Sequence, residues 1–520
     1  MMSRWRPPDS HSLGGYKPPQ QRQWALIVLL AAILAAKPIA ATPAARLSCK
    51  SFEKDEVRVE CTSMQTHLIP HVLHPGLKSL KVTGSRISSL SNIDVYAQMR
   101  YLDLSQNSLT ALGESLSKLH HLSVVIVREN KLTALRTSDL VGLRSLTRLD
   151  VSKNQIASIE ARTFINSSLI DLDLSENRIR ELTPAMVQGL SKLQSLNLKD
   201  NEFTTVPSAL GLLRQLNYLD LSFNNIGNIP PNTLPDVKTL LLERCDLSNT
   251  SFLSNSSVTR LDLSANRFSV VPRPLPTKLE ELVLDANPIQ ILQAKCLSHA
   301  PNLRNFSLSS CRELRSVHTE AFAGNSEIRA ILLESDVSLK TLDSRMFRSL
   351  GKLEIVSLRE SGLRTIGAGF VSWYLLSRVD LRDNPFKCDC SLSWLRDLAL
   401  AYLNTTGEPA NKRPRPLDDE TVHISCAEPT KFSGRKLYEL PASAFECGTS
   451  SLFLMITIPL VILILLGSTL IVVLFCWRHR LPTWLPCPRS KDKTAPTHNG
   501  GTKQQFLEKT YMMPGDDYDG

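Results

Sequence analysis

Glycine and aromatic residues are scarce in this chain, with 22 glycines in 520 positions and Phe, Trp and Tyr together only 6%. Such a composition, with 30 prolines, excludes collagen-like and low-complexity architectures. An apolar fraction of 42% is too high for an intrinsically disordered chain. The sequence also lacks a Gly-x-Ser-x-Gly elbow, a phosphate-cradling glycine loop, a His-Glu-x-x-His motif and a dinucleotide fingerprint, so neither enzyme chemistry nor a cofactor is expected. Long apolar runs are missing except at two places. Acidic residues are the minority, 50 against 60 Lys and Arg, a net charge of +10 that raises the question of a nucleic-acid partner.

The two apolar runs answer that question. Trp24–Ala36 follows Arg4, Arg6, Lys17 and Arg22 and precedes the small residues Ala40 and Ala41. It is too short to cross a bilayer and reads as a secretory signal ending at residue 41, with an uncleaved signal anchor as the alternative. Residues 452–477 carry no charge and end at Arg478-His479-Arg480, the pattern of a membrane-spanning helix whose basic side faces the cytoplasm. Residues 1–41 hold a surplus of four positive charges and residues 478–520 a surplus of two, so the basic balance records targeting and orientation, and no nucleic-acid partner is expected. The expected topology is a type I protein of the plasma membrane, in contact with the lipid bilayer through 452–477, with a short juxtamembrane link at 448–451 and a disordered tail at 478–520.

Between these runs one pattern recurs, L-x-x-L-x-L-x-x-N-x-L-x-x-L, plainest in Leu169–Leu182. Fourteen copies begin between residues 77 and 376, with a mean period of 23 residues. The L-x-L centre has period two and points its leucines to one side, so no copy can bury its apolar face alone and neighbours must stack. The ninth residue is Asn at 107, 130, 154, 177, 201, 224, 266, 287 and 384, suited to bonding backbone groups where the chain leaves a strand. Cys245 and Cys311 take the same slot. Phe164, Phe322, Phe347 and Phe370 fall late in their copies and are expected to fill the back of the core. Aspartates at the fifth position, among them Asp103, Asp150, Asp173, Asp220, Asp262 and Asp380, read as a solvated face. His67, His71 and His74 are close together, but the Leu and Pro around them read as a repeat's own loop, and no metal site is expected.

These copies resemble the extracellular leucine-rich-repeat superfamily over roughly residues 49–447. The resemblance implies an α/β solenoid: a curved horseshoe with a parallel sheet on its concave side, repeats over 77–387, and disulfide caps at 42–76 and 388–447. Asn384-Pro-Phe-Lys-Cys388-Asp-Cys390, followed by Trp394, Cys426 and Cys447, is similar to the C-terminal flank of that superfamily, which implies the pairs Cys388–Cys426 and Cys390–Cys447; spacing alone allows three connectivities. Cys49 and Cys61 fit an N-terminal cap with one bridge. Cys245, Cys296 and Cys311 remain as an odd number of thiols, and for Cys296 both an inert and an intermolecular reading stay open. Cys476 and Cys487 flank the inner membrane boundary and are candidates for palmitoylation.

Sequons at Asn166, Asn249, Asn255, Asn305 and Asn404 agree with secretion, and a glycan on Asn305 is expected to obstruct part of the concave face. Departures from the consensus on that face mark candidate ligand contacts: Val124, Ile126 and Arg128, then Leu241, Glu243, Val283, Asp285, Leu332, Glu334 and Ile355. In the tail, Tyr511 and Tyr518 are candidate phosphotyrosines. The expected function is cell-surface recognition or adhesion through an extracellular protein ligand or a partner on another cell, with a membrane co-receptor relaying the signal. The alternatives are an auxiliary subunit acting through its membrane helix and an innate receptor for microbial patterns.

Overall fold

The computed structural model describes residues 49–52, 58–70, 73–254, 256–343, 345–369, 376–405, 416–445 and 451–478, which fall into two units, Met1–Glu446 and Cys447–Gly520. The first unit is a parallel β-solenoid whose main sheet has 16 strands. Cys49–Phe52 lies antiparallel to Arg58–Thr62, and from there every pairing is parallel, through Ser79–Thr83 and Tyr101–Asp103 to Arg378–Asp380. Each of the fourteen copies supplies one strand, beginning at its third residue. The registers are in phase: Leu80 pairs with Leu102, Leu102 with Val125 and Val125 with Leu149, so the fourth-position side chains stack as one buried column while positions three and five face the other way.

Behind the sheet the copies return through turns, with helix reduced to single turns at Glu114–Ser117 and Thr137–Leu140 and a 3-10 segment at Ser208–Leu212. A 23-residue period leaves too few residues after the strand and its turn for a longer helix. The chain leaves each strand through a residue with positive φ at the eighth position, such as Gln106 (58°), Glu176 (53°) and Phe223 (59°). Its N–H donates to the next copy, as from Glu176 to the Lys199 carbonyl at 2.8 Å, and this bond between rungs holds a conformation that L residues resist.

The ninth-position asparagines form the expected ladder. Asn177 donates to the carbonyls of Val151, Leu174 and Ser175 at 3.0–3.1 Å, and its Oδ1 accepts from the Ile156 N–H at 3.0 Å. Cys245 and Cys311 keep one strand of this pattern, their thiols meeting the Leu221 and Leu284 carbonyls at 3.2 and 3.6 Å. Three further rungs have neither Asn nor Cys: the first copy has the half-buried Ser85, and two later copies differ as well. Asp336 and Ser361 occupy the later two, both fully buried. On the back of the core Phe164, Phe322 and Phe347 are buried, and Phe322 packs against Phe306 and Phe347 with centroids 5.8 and 6.0 Å apart.

Both ends are capped. Cys49–Cys61 and Cys388–Cys426 are disulfides, and Cys390 is also disulfide-bonded. The helix Ser393–Leu403 buries Leu395, Leu398, Ala399 and Tyr402 over the last repeat, and Trp394 donates from Nε1 to the Ile366 carbonyl at 3.2 Å. Arg382 grips Asp380 at 2.6 Å and reaches Glu420 of the cap at 3.7 Å. Among the described residues the unpaired thiols, Cys245, Cys296 and Cys311, are buried; Cys296 is only 3% exposed, so its intermolecular reading is corrected by packing against the back of the core. Burial pushes the Cys245, Cys296 and Cys311 thiols up to about 12, about 11 and about 12, so they are poor nucleophiles at neutral pH.

In the second unit Ser451–Arg478 is one helix. Its stretch Thr457–Phe475 has a mean hydropathy of 2.9 and no buried residue, and it is long and apolar enough to cross a membrane. Residues 1–41, His71, Asn255, Phe370, Cys447, Cys487, Tyr511 and Tyr518 lie outside the described residues.

Candidate binding face

Positions three and five of each strand make a continuous sheet face, and the register decides which candidates meet there. Near the N-terminal end Tyr101 pairs with Val124 and Val124 with Arg148, while Ile126 lies between Asp103 and Asp150. Tyr101, Val124 and Ile126 are half-buried and adjoin one another, forming an apolar island with Lys81, Arg128 and Arg148 around it. Arg128 is 3.5 Å from Glu129, which continues to Lys153 at 3.9 Å.

Leu241 does not join that island. It sits between Asp220 and Asp262, with Glu243 beyond it, whose carboxyl is raised by burial and then by Asp262. Val283 and Leu332 are separated by Ser307, a gap of roughly two strand spacings, about 10 Å. Ile355 pairs with Ala330 and so stands beside Leu332 on the diagonal. Leu241 and Val283 are likewise separated by Asp262, so the candidates fall into four islands rather than one surface. Asp285 is less free than its place on the face implies, because its Oδ1 accepts from Ser307 Oγ at 2.7 Å and from the Ser309 N–H at 2.8 Å. Glu334 has its backbone N–H on Ser309 Oγ at 3.1 Å.

The fifth-position aspartates are not the solvated face expected of them. Asp103, Asp150, Asp220 and Asp380 are buried. Asp103, Asp150, Asp173 and Asp262 each accept both the N–H and the hydroxyl of the serine two residues on, at 2.6–3.0 Å. Burial raises the carboxyls of Asp173, Asp220 and Asp285. Tyr218 beside Asp220 is pushed up to about 12 by burial and by that carboxylate, so its hydroxyl stays a donor. The sheet-face arginines are engaged with acids on adjacent rungs: Arg148–Asp171 at 3.5 Å, Arg304–Glu280 at 2.8 Å and Arg329–Glu354 at 2.9 Å.

One feature escapes consensus reading. Phe223 occupies the eighth position, where other copies have polar or small residues, with Lys199 Nζ 4.7 Å and the Arg244 guanidinium 5.8 Å from its ring. Aligning the eighth positions of all copies exposes it as the one aromatic. His67 and His74 serve local bonds, to the Arg86 carbonyl at 3.2 Å and from the Gly76 N–H at 3.0 Å, and no group of metal-ligating side chains occurs among the described residues.

The family model described as leucine rich repeat matches residues 97–156, 144–203 and 167–226, and a second, described as a BspA type leucine rich repeat region, matches 276–386. Toll-like receptor 9 of Sus scrofa is 31% identical over 128 residues, 22% of this chain and 12% of that receptor. Trophoblast glycoprotein of Mus musculus is 28% identical over 159 residues, 28% of this chain and 33% of that protein. Among solved structures, a complex of TLR13 with ssRNA13 is similar in fold, with a TM-score of 0.51 and 24% identity over 63% of this chain and 49% of that one. The chain thus spans only 12% and 33% of the length of these two curated relatives.

Proposed function

The chain is a leucine-rich-repeat protein with a membrane-length helix among its described residues, and from this premise we propose that it is a cell-surface receptor that recognises an extracellular protein through its sheet face. The observation that carries the reading is the island of Tyr101, Val124 and Ile126. Half-buried apolar side chains that adjoin one another and are rimmed by Lys81, Arg128 and Arg148 are the composition of a protein-binding patch. They stand on strands fixed by the inter-rung bonds, so binding needs little ordering of the chain. Orientation with the repeats outside the cell is supported by Arg478 and Arg480 after the helix.

A polyanionic ligand is disfavoured by the same face. Its arginines are engaged with carboxylates, and a phosphate backbone laid along the strands would meet Asp150, Asp171 and Asp173. The test is capture by the full-length chain displayed on cells. Ile126→Asp should abolish capture of the protein ligand while surface display is unchanged. Capture that survives Ile126→Asp but is lost at high salt places recognition elsewhere.

A further inference from the structure

Asn305 stands at the third position of its strand, exposed at the centre of the sheet face, with Glu281 on one side and Ala330 on the other. Around it Thr259, Arg260, Glu280, Glu281, Arg304 and Arg329 line a shallow groove of about 400 Å³. The groove walls are guanidinium and carboxylate groups, matched to a hydroxyl-rich occupant. Side chains at this position stand roughly perpendicular to the sheet, so whatever is attached to Asn305 projects over both neighbouring rungs. We propose that an N-linked glycan on Asn305 fills this groove and closes the sheet face around Val283 and Leu332, leaving the N-terminal half, with Tyr101, Val124 and Ile126, as the docking surface. Attachment forms a bond from the Asn305 amide nitrogen to C1 of an oligosaccharide, breaks the bond from that carbon to the diphosphate of its polyisoprenoid donor, and releases the amide proton. Ser307, the hydroxyl residue of the sequon, is buried and bonded to Asp285 in the folded sheet, so transfer precedes folding of this strand.

The proposal rests on the extracellular placement of the repeats, and the test separates the two. The full-length chain is produced in a secretory host, and glycan occupancy is measured by mass spectrometry at Asn305 and at Asn166, Asn249, Asn255 and Asn404. Single cysteines at Glu281→Cys, Ala330→Cys and Ile126→Cys are then labelled with a bulky maleimide, with and without Asn305→Gln, in a chain that also carries Cys476→Ser and Cys487→Ser; Cys245, Cys296 and Cys311 are buried and do not compete. Asn305→Gln should speed labelling several-fold at 281 and 330 and leave 126 unchanged. Occupied sites elsewhere with Asn305 bare, or equal labelling rates with and without the glycan, overturn the proposal alone. Five bare sites overturn the extracellular placement and the proposal with it.

A second observation stands independently of the first. Asp336 fills a ladder slot in which asparagine donates to three carbonyls, here those of Leu308, Leu333 and Glu334 by position. Its Oδ1 accepts from the Cys311 N–H at 2.7 Å, while its Oδ2, on the side where an amide would donate, has no partner. An ionised carboxylate facing carbonyl oxygens is repelled; a neutral acid donates to them. We infer that Asp336 is a protonated rung and that the repeats around it loosen when it ionises. The groups acting on it are Asp285 and Glu334, both acidic, with the Cys311 thiol on the preceding rung and the Ser361 hydroxyl on the next.

Burial, then these acids, push Asp336 up to about 8, far above the value it has when the chain unfolds. A raised carboxyl contributes stability that is fully present below the unfolded value, about 4, and is lost as pH rises to about 8. Asp336→Asn, tested by thermal melting of the full chain in detergent, should exceed the wild type at about pH 8.5 and approach it at about pH 5. Glu334→Gln should move the wild-type loss to lower pH, because removing a neighbouring negative charge makes Asp336 easier to ionise. The inference is overturned by an Asp336→Asn difference that is the same at both pH values.

Discussion

The repeats that begin at residues 99–216 and those that begin at 303–353 build the same rung by different means. In the first group every ninth position is asparagine, from Asn107 to Asn224, and each amide satisfies carbonyls on two rungs. In the second the slots hold Cys311, Asp336 and Ser361, and the buried polar atoms without a partner among the described residues, on Asn325, Asp336 and Ser357, all lie there. That same region holds the stack of Phe306, Phe322 and Phe347. A solenoid tolerates a thinned hydrogen-bond ladder where its back is filled by aromatic packing, since each rung needs only enough burial and bonding to hold its neighbour.

The largest effect that tests this contrast is on the aromatic side. Phe322→Ala should cost about 3–5 kcal/mol of local stability in denaturant unfolding, because a fully buried ring leaves a cavity between two others. Next comes the ladder itself. Asn177→Ala strands carbonyls on two rungs and should cost about 2–3 kcal/mol, whereas Cys311→Ala should cost about 1 kcal/mol, since the thiol is a weak donor. Equal costs at the two positions break the comparison. The smallest effect is on the surface, where Arg148→Ala should change stability by less than about 0.5 kcal/mol despite its ion pair with Asp171.

Much of this was legible before any coordinates. The period-two leucines set the strand at the third residue of all fourteen copies, and the ninth-position asparagines announced their own bonding. Asp336 and Ser361 escaped because a search for Asn or Cys passes over them; counting eight residues on from Ile328 and Leu353 finds both. The acid column was misread for a different reason. Its exposure depends on the serine two residues later, which folds the carboxylate back onto its own strand.

The binding face was legible only as a set of unusual residues. Whether they touch depends on which strands lie side by side, and the register gathers Tyr101 with Val124 while it puts Ser307 between Val283 and Leu332. Sequence by itself determined the solenoid, its caps and the membrane-length helix, because each follows from a local period, a cysteine pair or an uninterrupted apolar run. Tertiary structure alone decided which candidates form a surface, which thiols are sealed and which carboxyl sits among carbonyls. Those depend on what the neighbouring rung places about 5 Å away, and no single repeat contains that information.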